Sequence, residues 1–412
     1  MNRRVVITGM GALSPIGTDW EDAGDVLRNG GNGFSLNEDW TELEGLDSHI
    51  CGRVDRTNEE LEAGIDPSHL RSMGRVSLLS VNAVQKALDD AGFAEHPALT
   101  DGSTGVSFGS TEGSQIASFK FGDRIDRHQT VDGIKLSDYL QSMTHSCPAN
   151  IVRHFGVDGR MISTSTACTS GSQGVGYGYE AIRFGKQNAM IVGGAEELVT
   201  SAAAVFNVMF EASTRHEQPF HTPRPFDTTR DGLVVSEGAG ALILEEREFA
   251  LERGADIYGE IIGFDCTCMS DHLTIPAADG ITPVFEKSLD DADCEPDDVD
   301  YINAHATATT RGDIAESRAT EQVFGADVPV SSMKGHLGHT LGACGAIESI
   351  YTVRMCREGW LAPTQNLTEV DDDCADLDYI QDSPLERDVD IAVNNNFGFG
   401  GVNTSIFFSF SS

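Results

Sequence analysis

Short apolar strands alternate with helical patterns along nearly all of this 412-residue chain, and that alternation restricts its fold more than any other feature. Runs such as Arg4–Gly9, Gly105–Gly109, Ala189–Gly194, Ala241–Glu246, Ile257–Phe264 and Thr404–Phe410 have the length and composition of strands, while Val76–Ala91 and Pro283–Ala292 carry apolar residues at helical spacing. Strands separated by helices build layered α/β structures rather than sandwiches or bundles. The chain is long enough for a large core, and no Gly/Ser-rich, Pro-rich or low-complexity tract interrupts it. No apolar run approaches the roughly 20 residues of a membrane span. The opening M-N-R-R-V-V-I-T-G-M-G is glycine-broken and too short for a secretory signal.

Within that pattern, T-S-T-A-C-T-S-G-S (Thr164 to Ser172) places Cys168 on a small-residue turn between a strand at Arg160–Ser165 and a helix from Ser170 to about Gly185. Backbone N–H groups and the positive end of the helix dipole favour a thiolate there, and the same N–H groups can hold the oxyanion formed when it attacks a thioester or ester carbonyl. A buried structural cysteine is the competing reading. Two later segments supply partners for a nucleophile. V-D-Y-I-N-A-H-A-T-A-T-T-R-G-D (Val299 to Asp313) ends a strand at His305, and V-S-S-M-K-G-H-L-G-H-T-L-G-A-C-G-A-I-E (Val330 to Glu348) runs a strand into Lys334, His336 and His339. Strand C-terminal ends are where α/β enzymes place their chemistry.

These segments, with V-V-I-T-G-M-G-A-L-S-P-I-G (Val5 to Gly17), V-G-G-A-E-E (Val192 to Glu197), R-P-F-D-T-T-R-D-G-L-V-V-S-E-G-A-G (Arg224 to Gly240) and N-N-N-F-G-F-G-G-V-N-T-S (Asn394 to Ser405), resemble the β-ketoacyl-acyl-carrier-protein synthases, the type II condensing enzymes of the thiolase-like superfamily. The resemblance implies a layered α-β-α-β-α fold of two similar halves, residues 1–250 with the nucleophile and 251–412 with two catalytic histidines. It implies Cys168 as acyl acceptor, His305 and His339 as the pair that promotes malonyl decarboxylation, Lys334 held by Glu348, and Phe399 as both oxyanion-hole N–H and gate. Thr307, Thr309 and Thr274 match positions that hydrogen-bond a phosphopantetheine arm, which the carrier protein supplies, so no cofactor or metal of the chain's own is expected. The expected reaction is decarboxylating condensation of an acyl thioester with malonyl-acyl-carrier protein. The expected assembly is a homodimer, with a heterodimer of related subunits as the alternative.

Ala306 departs from the usual glycine beside the first histidine, and is silent if its backbone keeps a negative φ. His336 reads either as a group supporting the catalytic residues or, in preference, as a loop residue, and Glu112 either as a neighbour of the pocket or, in preference, as a solvated loop carboxylate. Thiolase-like, non-decarboxylating transfer on coenzyme A is a second reading; thiolases use a second cysteine as base, whereas this chain offers a histidine pair and a Cys344 that reads as packing. A non-catalytic partner subunit is the third, although the nucleophile such subunits usually lack is present. The segments Met73–Ser80, Gly193–Leu198, Gly338–Glu348 and Arg357–Thr364 resemble ketosynthases of aryl polyene pathways.

Asp and Glu total 65 against 28 Lys and Arg, a formal charge of −37. Such a surface repels nucleic acid and anionic membranes, and points to adaptation to molar salt, where screening shortens to about 3 Å. Acyl carrier proteins are themselves acidic, so docking calls for a local cationic patch. Arg71 and Arg215 are the candidates the resemblance favours, with Arg75, Arg124 and Arg127 behind them. The nine cysteines are odd in number, scattered and without metal-ligand spacing, which points to a reducing cytoplasm.

Overall fold

The computed structural model describes residues 2–411. Eleven strands form one continuous sheet, and their order exposes a repeat that the residues conceal. In the first half, taken in chain order, Val5–Leu13, Thr104–Gly109, Met161–Thr164, Ala189–Glu196 and Gly238–Glu246 lie side by side in the order 3-2-4-5-1. In the second, Gly259–Cys268, Tyr301–Asn303, Pro329–Ser331, Ile391–Gly398 and Val402–Ser409 lie in the same order, and Asp378–Tyr379 adds an outer strand. Strands 3, 2 and 4 are parallel in each half, and strands 5 and 1 run antiparallel to their neighbours. The halves join where Val5–Ile7 pairs antiparallel with Gly259–Ile261.

Crossovers between the parallel strands require helices. Those that follow the third strand of each half, Ser170–Arg183 and Cys344–Glu358, pack on each other and on strands of both halves. Nearly every residue of the Cys344–Glu358 helix is buried, its polar Ser349 and Thr352 included, as expected of a helix enclosed on all sides. Small residues permit the approach: a Cβ on Gly345 would lie 2.6 Å from Ser172, and one on Gly171 would lie 2.7 Å from the Gly342 carbonyl oxygen. The core around these helices takes in Val175, Ile182, Ile347 and Ile350. Outer helices Arg75–Asp90 and Ala278–Ala292 cover the two halves from outside. The second begins five residues before the expected Pro283. The proline therefore lies within it and forgoes a bond to the carbonyl of Asp279, an exposed residue that water can reach.

Candidate active site

The equivalence of the halves puts the chemistry in one place. Cys168 precedes the helix after strand 3 of the first half, His339 precedes the helix after strand 3 of the second, and His305 follows strand 2 of the second. The packed helices therefore deliver residues far apart in sequence to one cavity of about 490 Å³, lined by Cys168, His305, His339, Phe399, Thr307 and Thr309.

Cys168 sits on a tight turn. Ala167 has φ +52°, and the Ser170 side chain closes the loop by donating to the Ala167 carbonyl at 2.7 Å and accepting from the Thr166 N–H at 2.9 Å. The thiol has its own N–H and that of Phe399 directed at it. Gly398 allows this approach, since a Cβ there would lie 2.9 Å from the Thr166 carbonyl oxygen. Contrary to the expected thiolate, burial pushes the Cys168 pKa up to about 12 against the opposing Lys334 charge and the two N–H groups. Sγ lies 3.0 Å from His339 Nε2.

His339 is clamped through its backbone, with its N–H on the Val234 carbonyl and its carbonyl accepting from the Ser236 N–H. The His305 ring stands at 85° to the His339 ring, centroids 5.2 Å apart. Burial first, and then the Lys334 charge, hold both imidazoles well below their ordinary pKa, so they are neutral at pH 7. Lys334 and Glu348 form a fully buried ion pair. Burial works against the ammonium, and the adjacent carboxylate prevails and keeps it protonated.

Thr307 and Thr309 share a hydrogen bond on the cavity wall, hydroxyl oxygens 3.1 Å apart, and Thr274 is an exposed residue of the same lining. Ala306 keeps a negative φ and is buried against apolar neighbours, so its extra methyl is accommodated. Cys344 directs its sulfur to the Cys168 carbonyl at 3.3 Å. Glu112 is exposed. His336 corrects the loop reading: it is fully buried, with Nδ1 2.8 Å from the Gly31 carbonyl and Nε2 3.1 Å from that of Pro363. Of the docking arginines, Arg75 is spent in a buried pair with Glu237, and Arg215 is bound to Asp231 at 3.3 Å and to the Thr229 carbonyl. Arg127 pairs with Asp123 in the exposed helix Gln115–Asp126, which also carries Arg124. Arg71 is exposed at the end of the short helix Pro67–Leu70.

Two residues of the site escape the sequence reading. Glu316 accepts the His305 and Ala306 N–H groups, each at 2.7 Å, and burial raises its carboxyl to about 8 against them. Its signal is a carboxylate three residues after Asp313 on the buried face of the helix Thr310–Phe324. Asn396 donates to both Glu348 and His305. Its signal is the alternation of Asn394 and Asn396 along a strand, which aims both at one face.

Comparison with known proteins agrees with this geometry. Residues 2–250 match the family model for the N-terminal domain of β-ketoacyl synthases, and residues 258–368 match that for the C-terminal domain. The chain is 35% identical over 418 residues to a 3-oxoacyl-[acyl-carrier-protein] synthase 2 of Synechocystis, covering 98% of each. Among solved structures, a β-ketoacyl synthase from Burkholderia phymatum superposes with a TM-score of 0.97 at 43% identity over all of both chains. AntDE:AntF, described as a type II PKS acyl-carrier protein in complex with its ketosynthase bound to the hexaketide, gives 0.89 at 30% identity, again over all of both chains. With both domain models matched in order and the nucleophile turn meeting two histidines in one cavity, the chain belongs to the β-ketoacyl synthase family.

Proposed function

We propose that this protein condenses an acyl thioester with malonyl-acyl-carrier protein, with loss of carbon dioxide, giving a 3-oxoacyl-carrier protein two carbons longer. The observation that carries this reading is Cys168 Sγ at 3.0 Å from His339 Nε2, on the floor of a cavity that His305 also lines. As the acyl carbonyl arrives, the Sγ–H proton passes to His339 Nε2 and sulfur bonds to the carbonyl carbon. The N–H groups of Cys168 and Phe399 hold the oxyanion. Collapse expels the pantetheine thiolate, which takes the proton back from His339. His339 Nδ1 has no hydrogen-bond partner among the described residues, and a shift of the ring proton from Nδ1 to Nε2 between the half-reactions lets Nε2 accept in this one and donate in the next.

In the second half, the malonyl C–C bond breaks and carbon dioxide departs. Nε2–H of His305 and His339 stabilise the enolate oxygen, as neutral imidazoles can. The enolate carbon then attacks the acyl-Cys168 carbonyl, the C–S bond breaks, and the released Cys168 thiolate takes up one proton from solvent, the proton that the overall decarboxylating condensation consumes. Thiolase-like chemistry fits less well, because Cys344 faces the Cys168 backbone and Asn396. The resemblance of Met73–Ser80 and its companion segments supports aryl polyene chain building as the pathway.

The carrier protein's arm enters past Thr274 and runs along Thr307 and Thr309. Because Arg75 and Arg215 are already paired, docking falls to Arg71 and to an apolar rim: Phe210 is 89% exposed with φ +58°, and Leu273 is 71% exposed, both at the cavity mouth. A second copy would pair along Met161–Thr164, the outer strand of the first half, beside exposed Phe119, Val131, Leu136 and Tyr139. Met161→Arg is expected to give monomers in sedimentation at molar salt.

The reaction is tested by intact-protein mass spectrometry at molar salt, with acyl-carrier proteins bearing saturated, polyenoyl or aryl-enoyl chains followed by malonyl-carrier protein. The expected outcome is an acyl adduct that Cys168→Ala abolishes and that malonyl-carrier protein discharges as a two-carbon-longer product. Absence of any adduct with every chain sinks the reading, and the fastest-loading chain tests the pathway.

A further inference from the structure

The strand Ile391–Gly398 carries three consecutive asparagines, all fully buried. Strand geometry sends Asn394 and Asn396 to one face and Asn395 to the other. Asn395 accepts from the Ser405 hydroxyl, away from the site. On the site face, Asn394 Nδ2 lies 3.2 Å from Asn396 Oδ1, and the Glu348 carboxylate 2.8 Å from the other end of the Asn396 amide can only accept, so that end is the nitrogen. Asn396 Nδ2 therefore points at three groups, Glu348 Oε2 at 2.8 Å, His305 Nδ1 at 3.3 Å and, farthest away, Cys344 Sγ at 3.5 Å. An amide nitrogen has two hydrogens and no lone pair to offer. A thiol sulfur is a weak acceptor, so the two hydrogens go to the carboxylate and the imidazole, which makes His305 Nδ1 the unprotonated ring nitrogen.

We propose that Asn396 is a positioning residue for decarboxylation, one that locks His305 as the Nε2–H tautomer so that the ring presents a donor to the cavity. The chain of contacts runs from the Lys334 ammonium to the Glu348 carboxylate, to the Asn396 amide, to His305 Nδ1, leaving Nε2–H for the thioester oxygen. Anchoring by the ion pair holds the amide in place, so the buried Lys334–Glu348 pair contributes to catalysis although neither residue reaches the substrate. Without the amide, the Glu348 carboxylate is the nearest strong acceptor for an Nδ1–H, since it and a His305 ring nitrogen lie within 4.8 Å. That tautomer would aim a lone pair at the developing enolate oxygen, where repulsion replaces stabilisation.

The inference rests on the ketosynthase reading for its kinetic arm and is independent of it for its spectroscopic arm. In the wild-type protein labelled with 15N-histidine, His305, assigned by loss of its signals in His305→Gln, is expected to show a bare Nδ1 and a protonated Nε2. An Nδ1–H at His305 overturns the proposal outright and needs no variant of Asn396 to fold. Asn396→Asp places an acceptor where the donor was and is expected to invert the tautomer. With malonyl-carrier protein, Asn396→Asp and Asn396→Ala are expected to lose on the order of 100-fold in carbon dioxide release, the scale of one lost oxyanion donor, while acylation of Cys168 stays within about threefold. Equal loss of both steps, or loss of neither, overturns the positioning role. If the wild type neither acylates nor decarboxylates, the ketosynthase reading fails, and the tautomer measurement still decides the relay.

Discussion

At Cys168 two physical effects oppose each other, and the structure shows which prevails in the resting site. Directed N–H groups and a helix start favour the thiolate, but burial costs the anion more and raises the pKa to about 12. Alkylation of Cys168 by iodoacetamide is therefore expected to rise about tenfold per pH unit through pH 8 to 10, with no plateau at the ordinary thiol value of about 8.5; a plateau below pH 8 would show the N–H groups winning. The Lys334–Glu348 pair poses the same conflict with two charges. Removing one partner leaves the other buried and uncompensated, so Glu348→Ala is expected to cost about 3–5 kcal/mol in denaturant unfolding. Lys334→Met with Glu348→Met together should recover much of that without restoring condensation; if the double variant is no more stable than the single one, the cost is not electrostatic. Cys168, His305 and His339 were legible in the sequence because each lies in a distinctive run that resembles those of the condensing enzymes, although His339 follows its strand only after the short helix Lys334–Leu337. The Cys168 pKa was not, because the desolvation that sets it comes from neighbours distant in sequence. His336 and Arg75 were misread for the same reason: a carbonyl of Gly31 and a carboxylate of Glu237 define them, and no local pattern announces either.

Among the elements, the two central helices govern the site, since one begins just after Cys168 and the other just after His339. Their approach depends on positions that tolerate no side chain. A Cβ at Gly345 would lie 2.6 Å from the Ser172 backbone N and Cβ, neither of which can swing aside. Gly345→Ala is accordingly expected to destabilise by about 1–3 kcal/mol, the usual cost of overpacking, and to lower condensation by more than the folded fraction explains, because the helices separate Cys168 from His339. Unchanged stability, measured by thermal unfolding at molar salt, would show that the helices can part without strain. The helix that follows Cys168 was legible in the sequence, as were the outer helices and most of the strands, whereas Cys344–Glu358, buried nearly all round, has no apolar stripe to declare it. The repeated 3-2-4-5-1 order was not, because it resides in which strands become neighbours, and the two halves share that order without sharing residues. Nor could the strand Ile391–Gly398 declare its role, since nothing local to three asparagines in a row tells which of them the fold sets against Glu348 and His305, and that one is Asn396.

For the whole molecule, the charge of −37 and the acidity of carrier proteins bear on one question, which is how two anions meet. At low salt they repel; at molar salt, repulsion and steering both vanish beyond about 3 Å. A cationic patch would gain little there, and the structure has committed Arg75 and Arg215 to internal carboxylates. Apolar contact is not screened by salt, and strongly hydrated salts strengthen it. Phe210 fits that requirement, because a bulky residue with positive φ is a strained arrangement and its ring is left in water beside the cavity mouth rather than packed. Full burial of a phenylalanine side chain is worth about 1.5–3 kcal/mol, so Phe210→Ala is expected to weaken loading from acyl-carrier protein roughly ten- to hundredfold. Loading from a small acyl-pantetheine thioester, which makes no docking contact, should be unchanged. The apparent affinity for the carrier should hold or rise between 0.5 and 3 M salt in the wild type and lose that trend in Phe210→Ala. Affinity that falls steeply with salt, and Phe210→Ala loading as well as wild type, would return the docking role to Arg71 and its neighbours.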